Sequence, residues 1–232
     1  MSKAVFNIDE LIKFYDLKGE NSKHASSVTG LIGEDLITGI FKHYVESKIP
    51  NLKVNVLSEN PKEKNGRWLD RWIIQESGNK NICYQTEIKN WSAHSLGGVH
   101  FEYDPSNPLD YKTLDSDKIF NKIWDDAKME FKDAAVNKVL KQMKSNAELD
   151  TLPNKIIEPL VCFWMPITRS SVKDPIIELK ISNANTNFNK VTIFSSSIYL
   201  RKLRSGGINT IEIESGQIAT RMEKLNNLFS IK

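Results

Sequence analysis

The chain has 232 residues, 40% hydrophobic and 26% charged, with 32 basic against 29 acidic side chains for a net charge of +3. That length and balance suit one globular domain with a real core and exclude a disordered or fibrous chain. No apolar run is long enough to span a membrane, and so small a positive excess does not by itself imply nucleic-acid binding.

The N-terminus, MSKAVFNIDELIKFY, lacks the apolar core and small-residue cleavage site of a secretory signal, which predicts a cytoplasmic protein. Residues 24–48 open with Ser and Thr as candidate caps and continue at helical spacing through Ile37, Ile40, Phe41, Tyr44 and Val45, which predicts a helix. Glu34 falls inside that apolar stripe, between Phe41 and Val45 on the wheel, where a lone carboxylate is costly. Gly30 and Gly33 beside it would let the helix approach a sheet closely. Two readings of Glu34 stand: it points at a functional cluster, or it reaches solvent or a lysine.

Residues 51–60, NLKVNVLSEN, predict a strand, and the polar stretch PKEKNG leads to RWLDRWIIQESGNKNICYQTEIKNW at 67–91. Its two runs rich in Trp, Ile and Tyr flank Gly78-Asn79, and glycine at the first central position suits a two-residue type II′ hairpin. In that register Ser77 pairs with Lys80, and Asp70 falls opposite Glu87. The period of two then sets Lys89 on the same face. Opposed side chains have Cβ atoms about 5 Å apart. Two carboxylates at that distance repel unless a proton or cation lies between them, and a few carboxylate oxygens with waters and phosphate suit Mg2+. Trp68, Trp72 and Trp91 share the parity of this patch, as core residues or as base-stacking platforms.

Residues 90–117 are dense in Gly, Ser, Asn, Asp and Pro without periodicity and are expected as a long functional loop. From Asp117 to Lys144, apolar residues at Ile123, Ala127, Phe131, Ala134, Val139 and Met143 predict one long helix or two in succession. Strands are expected for IIEPLVCFWMP (156–166) and KVTIFSSSIYL (190–200), followed by a basic turn RKLRSGG, a strand NTIEIES and a C-terminal helix around ATRMEKLNNLF. Cys83 and Cys162 lie in strand-like runs and are expected as buried free thiols. The basic clusters Lys138, Lys141, Lys144 and Arg201, Lys202, Arg204 read as solvated faces rather than phosphate tracks. The histidines lack metal-ligand spacing, SLGGVH lacks the Gly-Lys-Ser/Thr ending of a phosphate loop, and the serine run lacks a nucleophile elbow. The order of elements predicts a single α/β domain, a mixed sheet flanked by helices.

Glu34 on a leading helix, Asp70 on a strand and Glu87-Ile88-Lys89 on the next, followed by a helix, resemble the PD-(D/E)XK nuclease superfamily over about residues 25–165, with residues 166–232 completing the fold. Leu69 stands where that pattern often has proline. The resemblance implies a restriction-endonuclease-like fold in one domain, 1–232, and a Mg2+-dependent nuclease, with Mn2+ able to substitute. Asp70, Glu87 and the Ile88 carbonyl would hold the metal, Lys89 would orient the attacking water, and Glu34 would assist. It further implies a DNA substrate, endonucleolytic cleavage in bacterial restriction or phage defence, a homodimer or larger homo-oligomer, and a separate regulatory or recognition subunit, with no membrane partner. The competing reading is a nucleic-acid-binding or assembly subunit of the same fold without chemistry. A glycoside hydrolase with paired carboxylates leaves Lys89 and Glu34 unexplained.

Overall fold

The computed structural model describes residues 3–16, 22–57, 69–89, 116–143, 147–165, 167 and 174–214. Strand β1 (Lys3–Asn7) leads into helices α1 (Ile8–Asp16) and α2 (Ser22–Lys48), then β2 (Lys53–Val56), β3 (Arg71–Ser77) and β4 (Lys80–Lys89). Helix α3 (Ser116–Ile123) is followed by the short strands β5 (Trp124–Asp125) and β6 (Glu130–Phe131), helix α4 (Ala134–Asn137), a 3-10 turn (Lys138–Leu140) and α5 (Ala147–Asp150). The chain continues through β7 (Lys155–Phe163), β8 (Ile176–Lys180), β9 (Lys190–Ser195), α6 (Ser196–Ser205) and β10 (Thr210–Glu214).

The architecture is mixed α/β. Six strands form the main sheet in the order β2-β3-β4-β7-β9-β8, while β1 pairs with β10 separately. The β2-β3-β4 meander is antiparallel, β4-β7 and β7-β9 are parallel, and β8 returns antiparallel to β9. A parallel neighbour requires a crossover, and α3 to α5 lie in the chain between β4 and β7.

Both faces of the sheet are covered, so its central strands read as nearly unbroken apolar runs. The period of two still sorts them. Trp72, Ile74, Cys83, Val161, Phe163 and Ile193 meet α3, the β5-β6 hairpin and α4 on one face. Ile73, Ile88, Leu160, Cys162 and Phe194 meet α1, α2 and α6 on the other. Cys83 and Cys162 are buried free thiols, and Trp72 is wholly buried as a core residue. Trp68 and Trp91 lie outside the described residues, as does the expected C-terminal helix.

The hairpin register matches the sequence expectation, with Ser77 opposite Lys80 and Arg71 opposite Thr86. Gly78 has φ +57° while Asn79 does not enter positive φ, the pattern of a type II′ turn. Three expectations need correction. The stretch 117–144 is not one helix or two consecutive ones, because β5 and β6 interrupt it. Asp125 Oδ1 accepts the amides of Ala127 and Lys128 at 3.1 Å each, Met129 adopts φ +52°, and Phe131 turns back onto Trp124. A local side-chain turn there outcompetes the apolar spacing. The strand expected over 190–200 ends at Ser195, where the chain starts α6, and the expected basic turn belongs to that helix. Helix α2 also approaches β10 closely at Gly39, where an added Cβ would clash with Ile213 Cγ2.

Candidate active site at the end of the hairpin

Asp70 lies immediately before β3, one step beyond the Arg71–Thr86 pair, and continuing that register by one residue sets it opposite Glu87. Its Oδ2 accepts the backbone N–H of Ile88 at 2.7 Å. The side chain thus takes the place of a ladder acceptor where β3 has ended, and it fastens the first carboxylate to the strand that carries the second.

Glu87 belongs to the sheet face that holds Trp72 and Phe163, and it is only 1% exposed. Its Oε1 lies 2.7 Å from Lys89 Nζ and its Oε2 2.7 Å from Lys138 Nζ. Burial first and the charge of Asp70 second push the Glu87 carboxyl up to about 7, against the pull of both lysines. Burial acts to lower Lys89, but Glu87, Asp70 and Asp133 together hold it above its usual value, so it stays charged at neutral pH. The backbone of Lys89 is locked as well: it pairs with Phe163, and its carbonyl accepts Trp164 N at 2.9 Å. A cavity of about 140 Å³ adjoins this point, lined by Phe163, Asp133, Lys122 and Lys132 among others.

Of the two readings of Glu34, the structure shows the partly solvent-facing one, with an arginine in place of the lysine. Glu34 is not sealed in the apolar stripe, because its side chain is 37% exposed and faces Arg71 Nη1 at 3.8 Å. Helix α2 packs on the sheet face opposite the one Glu87 occupies, so Glu34 reaches this corner by way of Arg71. Arg71 Nη2 pairs with Asp35 Oδ1 at 2.7 Å, and Nη1 donates to the Asp70 carbonyl at 2.6 Å. One guanidinium therefore joins the helix to the residue that carries the first carboxylate. Ile88 is buried against α2 and contributes its amide to Asp70.

Besides Arg71, two residues enter the site that the sequence reading did not single out for it. Lys138 was grouped with Lys141 as a solvated face, yet only Lys141 of the two is exposed and Lys138 is turned onto Glu87. The wholly buried Gln85 donates Nε2 to the carbonyls of Val139 and, at 2.9 Å, Lys141, and accepts Met143 N at 3.1 Å. That amide fixes the 3-10 turn that presents Lys138. Parity with Glu87 and Lys89 was the signal for Gln85; nothing local marked Lys138.

Among the described residues, no group of three or more His, Cys, Asp or Glu side chains gathers as a metal cage. His94 and His100 lie outside the described residues, and His43 is engaged through Nδ1 with Tyr199 Oη at 2.7 Å. No protein-family model, curated protein or solved structure matches the chain.

Proposed function

We propose that the protein is a Mg2+-dependent nuclease of the PD-(D/E)XK kind, with a restriction-endonuclease-like fold, that hydrolyses phosphodiester bonds in DNA. The observation that carries this reading is the joining of Asp70 to the Glu87-Ile88-Lys89 strand through the Ile88 amide, with Lys89 against Glu87. The donors fit the metal: two hard carboxylates, one of them buried and repelled by the other, favour a divalent cation that keeps waters and substrate oxygens as its remaining ligands. Asp70 and Glu87 would hold it, with the Ile88 carbonyl as a further oxygen. When bound, the metal supplies charge stabilisation at the phosphoryl oxygens and a more acidic water.

The chain's own side chains do the rest. Lys89, fixed by the sheet and charged, orients a water and adds positive potential where charge develops in the transition state. Arg71 holds Asp70 in place from behind, and Glu34 completes the outer charge balance through that guanidinium. Endonucleolytic action, a homo-oligomer that pairs two such sites, a regulatory subunit and a role in bacterial restriction or phage defence in the cytoplasm complete the proposal.

A second reading, a non-catalytic nucleic-acid-binding or assembly subunit, has one observation in its favour: both Glu87 oxygens are already engaged by lysines. Supercoiled plasmid incubated with the protein in Mg2+, Mn2+ or EDTA separates the two. The nuclease reading predicts metal-dependent nicking or linearisation that Glu87→Gln abolishes, and intact plasmid under every condition would leave the binding subunit.

A further inference from the structure

The cavity of about 140 Å³ beside Lys89 shares two residues with the site: Phe163 is the ladder partner of Lys89, and the charge of Asp133 bears on the Lys89 ammonium. Its apolar lining, Ile123, Phe131, Val136 and Phe163, is at most 5% exposed, whereas Lys122, Lys132 and Asp133 reach further into solvent, so polar contacts are offered at the mouth. Lys122 stands in the last turn of α3 and Lys132 just after β6. The backbone N–H of Lys132 donates to Ile123 O at 2.9 Å and its Nζ to Asn121 O at 2.6 Å, which fixes this lysine to the end of α3. An ammonium carries three N–H groups, so one bond to a carbonyl leaves Lys132 able to take an anion as well. Among the described residues of the lining, Asp133 is the only carboxylate, and its Oδ1 accepts Ala135 N at 2.7 Å. Two lysines outweigh it.

Resting on the nuclease reading, we propose that the mouth of this cavity is the subsite for the phosphodiester next to the scissile one, held by Lys132 and Lys122. The scissile phosphate lies against Asp70, Glu87 and Lys89. Phe163 and Asp133 border both Lys89 and the cavity, so a strand that leaves the site on this side meets the two lysines with its next phosphate. Charge-assisted bonds from ammonium to phosphate oxygens are the strong kind, and a contact beside the reacting group positions the strand for the cut. Lysine binds phosphate as a point charge and reads no base edge, so the subsite serves any sequence. It also makes the substrate a polynucleotide strand, since an isolated phosphodiester has no second anion to offer. A merely structural Lys132 would satisfy the last carbonyls of α3 and nothing more.

A substrate with one charge removed tests this. End-labelled DNA duplexes, each with a single uncharged methylphosphonate linkage, are cut by the full chain in Mg2+, and cutting is measured at every other linkage. In wild type, cutting at the neighbouring linkage on one side should fall about fivefold or more, as for the loss of one hydrogen bond to a charged group. In Lys132→Gln, cutting of unmodified duplex should fall by a like factor, and the methylphosphonate should depress its neighbour no further. Lys132→Arg keeps the charge and should keep the neighbour effect. Lys202→Gln, at an exposed lysine of α6 on the other side of the sheet, should behave as wild type. Lys122→Gln, which should weaken the effect, takes the place of Lys132→Gln if that protein does not fold. Wild-type cutting that ignores the neighbouring methylphosphonate, or an undiminished neighbour effect in the glutamine variant, overturns the subsite while the nuclease reading stands. No metal-dependent cutting of unmodified duplex overturns both.

Discussion

The carboxylate of Asp70 accepts the backbone amide of Ile88 at 2.7 Å, so the first acidic residue of the cluster is bonded to the middle of the Glu87-Ile88-Lys89 triplet. This bond makes Asp70 a structural element as well as a candidate ligand, and the two roles separate by substitution. Simple repulsion between opposed carboxylates would make Asp70→Ala neutral or stabilising without metal. With the Ile88 N–H left unpaired, Asp70→Ala should instead cost about 1–3 kcal/mol. Asp70→Asn keeps an oxygen acceptor and should stay close to wild type in EDTA, yet lose the rise in melting temperature that Mg2+ gives the wild type. Melting curves of the three proteins with and without Mg2+ check this, and an equal Mg2+ effect in all three counts against Asp70 as a ligand.

Glu87 should make metal-free stability depend on pH in an unusual direction. Its folded-state value of about 7 lies above the ordinary 4.5, so between these limits the folded protein binds more protons than the unfolded one. That contribution is fully present below about pH 4.5 and is lost as pH rises through 7, at most about 3 kcal/mol in all. His43, which burial lowers, acts the opposite way: its folded state binds fewer protons, and stability falls as pH drops below 6.5. Urea titrations in EDTA from pH 5 to 8 should therefore be compared with Glu87→Gln, which lacks the downward slope. Parallel pH profiles for the two proteins would refute the shift.

Arg71 should matter for stability and for the site together. Its pair with Asp35 is largely buried, with side-chain exposures of 15% and 9%. Arg71→Met should cost about 3–5 kcal/mol. Adding Asp35→Asn should restore much of the stability without restoring cleavage, because the bond from Arg71 to the Asp70 carbonyl remains lost. Recovery of both together would reduce Arg71 to a fold-stabilising residue.

The parts of this picture that were legible beforehand follow short-range rules. Gly78 fixes a turn, the turn fixes a register, and the register sets Asp70 against Glu87 and Lys89 on one face. What failed depended on tertiary context. The spacing of Ile123, Ala127 and Phe131 matched a helix, but Asp125 closes a local turn and Phe131 packs on Trp124, so the chain reverses instead. Which of its two readings Glu34 follows depends on which face of the sheet its helix covers, a matter of topology that no local pattern carries. Lys138 lies 51 residues after Glu87 in an otherwise basic stretch, and only the Gln85-bound turn reveals which way it points. The N-terminal strand β1 went unread because its partner, β10, lies at the far end of the chain.

Lys89 provides the most direct test of the central claim, because it is the group whose proposed role is chemical rather than ligating. Single-turnover cleavage with saturating enzyme and Mg2+ should be slower in Lys89→Ala by about 10²-fold or more, the order expected for loss of a positioned electrostatic group. DNA binding measured in Ca2+ should be little changed, so that binding and chemistry come apart. A folded Lys89→Ala protein that cuts DNA at the wild-type rate would contradict the assignment, and with it the reading of this hairpin as an active site.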